Sequence, residues 1–283
     1  MNELAIAWPT LGGKQLWGDR LVYEGYRIQR NVLTGHHRLL GPGLGRHTWG
    51  SYDECRQRFD RVRAEQQLSR PSRHLVVLLH GIFRAAEAWR PMERGLRDAG
   101  FATAPVTYPS TRRSLEDHAD LVDDVLNNSD DVDTVSIVAH SMGGLVAREV
   151  LGRAGGWRER IAVNRLVMIA TPNRGAVLAD RLVPLQPLRR AVLPVAQLTT
   201  DYVTALPHPS CPFGLVIGVR GDGKGYNPLL PGDDDMTVSE QSARLPGAED
   251  ELLLAGAIHT LNMRDERSVS GVVRYLNTGR FSA

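Results

Sequence analysis

From Arg73 onward, short runs rich in Val, Ile and Leu alternate with stretches in which apolar residues recur every three or four positions. Candidate strands are His74 to His80, Phe101 to Tyr108, Thr134 to Ala139, Asn164 to Thr171, Phe213 to Arg220 and Glu251 to Ile258. Candidate helices lie around Glu87 to Ala99, after Ser114 with Leu115, Ala119, Val122 and Leu126 on one face, from Leu145, and at the end with Val269, Val272, Val273 and Leu276. Strands separated by helices pair through crossovers rather than hairpins. The pattern therefore predicts an α/β fold, a mostly parallel central sheet with helices on both faces. In such sheets ligands bind at the carboxyl ends of the strands.

One of those ends carries a hydroxyl. Residues 134 to 146 read T-V-S-I-V-A-H-S-M-G-G-L-V, a buried strand that stops at Ser141 before a helical pattern begins. Helix capping explains a serine in that place. It does not explain Ala139 and Gly143, small residues two positions to either side. A sharp strand-to-helix turn brings those positions close together and pushes the hydroxyl outward. The N–H groups at the start of the next helix then face the hydroxyl and can stabilise negative charge beside it. Ser141 is read as a nucleophile.

A serine nucleophile needs a general base, an acid to orient the base, and donors for the oxyanion. The base is expected past a late strand, and His259 follows E-L-L-L-A-G-A-I. After Phe213 to Arg220 comes G-D-G-K-G-Y-N-P-L-L-P-G-D-D-D-M-T-V, where several acids compete. Asp233, Asp234 and Asp235 repel one another, so the stretch can hold the orienting acid, be a solvated loop, or form a calcium site from Asp233 or Asp234. In V-V-L-L-H-G-I-F-R, Gly81 lets the chain turn at a strand end and aim the Ile82 N–H into the site. Its partner donor is the N–H of Met142. His80 reads as a residue holding that loop, while Phe83 and His140 are expected to line the substrate space.

Residues 1–70 show no recognisable chemistry. They read as an extension made of a hairpin, Leu21 to Arg30 and His36 to Leu40, and a helix opened by the Ser51/Glu54 capping box. A stretch at about 173–210 interrupts the strand–helix alternation with prolines and apolar residues, as in R-L-V-P-L-Q-P-L-R-R-A-V-L-P-V-A-Q-L, and reads as a cap-like insertion in a domain spanning 71–283. The basic residues are almost all arginine and are interspersed with acids at a net charge of +2, so no basic stripe suits a nucleic acid. No Cys/His cluster has zinc spacing, and nothing in the sequence calls for a cofactor. The N-terminus lacks a basic n-region and a cleavage signature, and no run reaches the length of a membrane span. These features predict a cytoplasmic protein with no integral membrane association.

The set L-L-H-G-I, A-H-S-M-G-G, I-A-T-P-N-R-G, D-D-D-M-T-V and A-I-H-T, in this order, resembles the α/β-hydrolase superfamily and its lipase and esterase branch. The resemblance runs from about Arg73 to Leu276 and implies the α/β-hydrolase fold with a triad in the order Ser141, Asp235, His259. It is the resemblance that selects Asp235, because D-M-T-V is similar to the lipase pattern in which valine follows the acid. Two positions depart from the pattern: Ala139 replaces the first glycine of G-x-S-x-G, as in small bacterial lipases, and Met236 stands where many lipases have glycine. The implied activity is hydrolysis of small-molecule carboxylic esters. Phe83, Met142 and the apolar Leu182 to Leu198 stretch favour an apolar acyl group. A thioesterase or acyltransferase would use the same residues, and a non-catalytic interaction module is the remaining alternative.

Overall fold

The computed structural model describes residues 13–182 and 193–282. Leu21 to Arg30, expected as one strand, folds back at Glu24 and Gly25, which take φ of 44° and 84°. Two successive positive φ values suit a tight hairpin turn, and only the single glycine hinted at it in the sequence. The result is an antiparallel meander of β1 (Trp17–Tyr23), β2 (Tyr26–Asn31), β3 (His37–Leu40) and the unforeseen β4 (Arg46–Gly50). Helix α1 (Tyr52–Glu65) covers one side of it, opened by the expected capping box at Ser51 and Glu54. Its Cys55, Phe59 and Val62 bury against Leu21, Tyr23, Tyr26, Ile28 and Leu39.

The remaining strands form one parallel sheet in the order β10-β9-β8-β7-β5-β6. They are β5 (His74–Leu79), β6 (Ala102–Val106), β7 (Thr134–His140), β8 (Ala162–Ile169), β9 (Phe213–Val219) and β10 (Asp250–Ala255). Crossover helices α2 (Arg90–Asp98), α3 (Leu115–Asn127) and α4 (Met142–Gly152) separate the early strands. Alternation in β5 shows how the sheet is filled. Leu75, Val77 and Leu79 join the core cluster of Leu115, Val122, Leu145 and Val150 from α3 and α4. Val76 and Leu78 join the opposite cluster, which holds Met92 and Leu96 of α2. The expected helix Glu87 to Ala99 is a 3-10 turn, Ala86–Trp89, followed by α2, because Pro91 starts a helix well but cannot continue one. Pro105 sits in β6, an edge strand, where a missing N–H breaks no central ladder.

After β8 come α5 (Val177–Leu182), a 3-10 turn Leu193–Leu198 and α6 (Thr200–Ala205); residues 183–192 of the predicted cap lie outside the described residues. Short α7 (Glu240–Ala243) precedes β10, and α8 (Glu266–Thr278) closes the chain with Val272 and Leu276 buried. Two polar clasps fix α6. Arg148 of α4, itself buried, donates to the carbonyls of Val203, Leu206, Pro207 and Asn173. Glu116 at the start of α3 accepts from Gln197 at 2.8 Å and from the Tyr202 hydroxyl.

Although partial burial opposes it, the hydrogen bonds from Tyr202 and Gln197 bring the Glu116 carboxyl down to about 2 from its ordinary 4.5. A carboxyl depressed in the folded state stabilises above its unfolded value, and that stability is lost as pH falls through the folded one. The melting-temperature gap between wild type and Glu116→Gln is therefore expected to be full above about pH 4.5 and to close as pH approaches 2. A gap independent of pH between 2 and 6 would rule the clasp out as the titrating element. Among the described residues no helix is long and apolar enough to cross a membrane.

Candidate active site

Strand β7 ends at His140, and Ser141 turns the chain into α4 with φ 56° and ψ −128°. A non-glycine residue there stores on the order of 1–3 kcal/mol of strain, sustained only where the surroundings fix it. They do so on three sides. The Ser141 N–H donates to the Ile169 carbonyl at 2.9 Å. A methyl group at Gly143 would lie 2.2 Å from the Leu79 carbonyl oxygen of β5, and one at Gly144 would lie 2.1 Å from Thr171 Oγ1. Gly143 is thus small because β5 crosses beneath it; the nearest atoms belong to Leu79 and His80, not to Ala139 as the sequence pattern suggested.

His259 lies beyond the end of β10, after a turn at Gly256, rather than directly on the strand. Its Nε2 stands 3.0 Å from Ser141 Oγ, and its Nδ1 stands 2.8 Å from Asp235 Oδ2. A carboxylate can only accept, so Nδ1 carries the proton and Nε2 is free to accept from the serine hydroxyl. Asp235 is buried, and its Oδ1 accepts the N–H groups of Thr237 at 3.1 Å and Val238 at 2.8 Å. Sequence reasoning missed Asn262, which is buried and donates through Nδ2 to Asp235 Oδ2 at 2.9 Å. Its only signal was its spacing, one turn beyond His259.

Asp233 and Asp234 play other parts. Asp233 accepts from the N–H groups of Arg220, Gly221, Gly223 and Asp234, and Asp234 accepts from those of Asn227 and Met236. These bonds fold the loop that presents Asp235; desolvation is the largest single effect on the Asp233 carboxyl and pushes it up, yet the backbone N–H bonds from Gly223, Arg220, Gly221 and Asp234 together hold it below its ordinary value. They also occupy the oxygens that a calcium ion would need, and among the described residues no group of three ligating side chains converges. Met236 takes φ 84°, the conformation glycine adopts without strain. Its N–H on Asp234 and its carbonyl on Asn227 Nδ2 keep it there.

The loop after β5 lies against the serine. A methyl at Gly81 would sit 2.9 Å from Ser141 Cβ, and Ile82, half-buried, comes next. Met142, at the first position of α4, is fully buried. His80 is buried under Tyr108, the rings stacked 4.0 Å apart, and its Nδ1 donates to the Gly81 carbonyl at 2.8 Å. Phe83 stands 69% exposed at the rim of this loop. His140 does not line an open space: it is buried, and its Nε2 donates to the His259 carbonyl at 2.9 Å. Burial holds the His140 imidazole well below its ordinary range, which keeps it neutral. Its place is beneath the histidine, supporting the backbone there.

A parallel sheet carrying a strained serine at a strand end, with histidine and aspartate following in chain order, defines an α/β-hydrolase arrangement. The alpha/beta hydrolase family model matches residues 76–275, and the chain belongs to that family. No curated protein matches it in sequence. Among solved structures, the mature lipase BlEst2 of Bacillus licheniformis is similar over 72% of this chain and 91% of its own, at 18% identity and a TM-score of 0.56. A Listeria innocua gene product is similar over 73% of this chain and 95% of its own, at 15% identity and a TM-score of 0.54. A metagenomic carboxyl esterase matches 72% of this chain and 76% of its own, at 17% identity and a TM-score of 0.52. At such identities the likeness is one of fold.

Proposed function

We propose that the chain is a serine hydrolase that cleaves carboxylic esters through an acyl-enzyme. The observation that carries this reading is the hydrogen-bonded series Ser141 Oγ to His259 Nε2 at 3.0 Å and His259 Nδ1 to Asp235 Oδ2 at 2.8 Å. Ser141 Oγ attacks the ester carbonyl as its proton passes to His259 Nε2, and the N–H groups of Ile82 and Met142 receive the oxyanion. The C–O bond to the alcohol then breaks, and His259 gives the alcohol its proton. Water, activated by the same imidazole, releases the acid. Asp235 holds the imidazole in the required tautomer, and Asn262 holds Asp235. The exposed ring of Phe83, two residues beyond Gly81 in the loop that lies against the serine, favours an ester with an apolar acyl group.

A fluorophosphonate reports an activated serine without requiring the natural substrate. Intact mass is expected to rise by one probe adduct on the wild type, with no adduct on Ser141→Ala. A wild type that takes up no probe, or an adduct that persists without Ser141, would sink the proposal.

A further inference from the structure

The N-terminal meander is joined to the rest of the protein at a place that bears on the serine. Asp19 of β1 is fully buried and exchanges two hydrogen bonds with Thr107, just past β6. The Asp19 N–H donates to the Thr107 carbonyl at 2.9 Å, and Asp19 Oδ2 accepts the Thr107 N–H at 2.6 Å. Arg27 and Gln29 of β2 complete the carboxylate's set, each at 2.8 Å. Burying a carboxylate is costly unless every oxygen is satisfied, and such fully partnered groups fix one geometry.

From Thr107 the contacts run directly to the loop after β5. Thr107 Oγ1 accepts the Ala86 N–H at 3.3 Å. The next residue, Tyr108, stacks on His80, donates its N–H to His80 Nε2 at 3.4 Å and its hydroxyl to the His80 carbonyl. His80 in turn holds the Gly81 carbonyl, and Gly81 abuts Ser141. A second tie runs in parallel. Gln15 Oε1 accepts from the Thr111 N–H and hydroxyl, both at 3.0 Å, while Gln15 Nε2 reaches the Arg84 carbonyl at 3.5 Å. One amide side chain thus bridges the loops after β5 and β6.

We infer that the meander and the 3-10 turn Gly13–Leu16 that leads into it brace the loop carrying the Ile82 N–H, with Asp19 and Gln15 as positioning residues for the oxyanion site; this rests on the proposed serine-hydrolase reading. An N–H displaced by even part of an ångström loses much of its transition-state stabilisation while ground-state binding is little altered. Asp19→Asn puts an NH₂ group against one of the donors that now meet the carboxylate. Gln15→Ala cuts the second tie on a half-buried turn, so its variant reports even where Asp19→Asn does not fold.

The test uses the full chain with p-nitrophenyl butyrate, a trifluoromethyl ketone as transition-state mimic, and hydrogen exchange read by mass spectrometry. In each variant kcat per titrated serine is expected to fall about tenfold with KM within about twofold. The inhibition constant of the ketone is expected to rise by the same factor, and amides 80–86 to exchange faster. Wild-type values of kcat and of the ketone constant in folded variants would overturn the brace. So would a loss confined to the fraction of titratable sites, which marks a purely structural role. A wild type inert to both ester and ketone refutes the hydrolase reading instead. Exchange then decides alone: faster exchange at 80–86 in Gln15→Ala supports the brace, and unchanged exchange overturns it.

Discussion

Ser141→Ala is expected to lower kcat for ester hydrolysis by about a millionfold, and His259→Ala by a similar factor. The substitution removes only Oγ. Alanine keeps the Cβ that the φ of 56° already accommodates, so the turn between β7 and α4 carries the same strain and the fold is expected to persist. What remains after the loss is binding and the backbone N–H donors, which act on a water molecule with no positioned nucleophile. The double variant is expected to be little worse than either single one, because proton acceptance by His259 has no purpose without the serine hydroxyl. Steady-state kinetics on circular-dichroism-matched protein decide this. Residual activity in Ser141→Ala above about one part in a thousand would place the nucleophile elsewhere.

Much of this architecture is legible in the sequence because it rests on local signals. The parallel sheet follows from apolar runs alternating with 3.6-residue patterns. The position of Ser141 follows from a strand that stops at a hydroxyl between small residues. That His259 meets Ser141 follows from both lying past the carboxyl ends of strands in one sheet, although β9 and β8 separate β10 from β7 and only a loop crossing that edge makes contact. Elsewhere the cause is tertiary and left no local mark. Glu24–Gly25 turns the chain within an apolar run because the meander pairs β1 with β2 across it. Gly143 is demanded by a neighbouring strand, and His140 is buried by the carbonyl of His259 above it. The three aspartates look equivalent as letters. In the sequence only the lipase-like D-M-T-V pattern singles out Asp235, and the folded loop adds the physical difference, directing Asp233 and Asp234 to backbone N–H groups and Asp235 to the imidazole.

That separation yields the second large effect. Asp235→Asn is expected to lower kcat by about ten-thousandfold while the protein stays folded. The asparagine oxygen can keep the Thr237 and Val238 N–H groups, but its NH₂ then faces two donors, His259 Nδ1 and Asn262 Nδ2. Asn262 can turn its amide, since its Oδ1 has no partner among the described residues. His259 has no such freedom without cost. It must move its proton to Nε2 to accept at Nδ1, and Nε2 then presents a hydrogen to Ser141 and can no longer act as base. The defect is one of tautomer, so KM is expected to change little and kcat to carry the loss. Asp233→Asn and Asp234→Asn make the comparison. Each loses backbone N–H acceptors, so each is expected to lower the melting temperature more than Asp235→Asn does and kcat far less. If either of them cost as much in kcat as Asp235→Asn, the acid would have been assigned to the wrong member of the run.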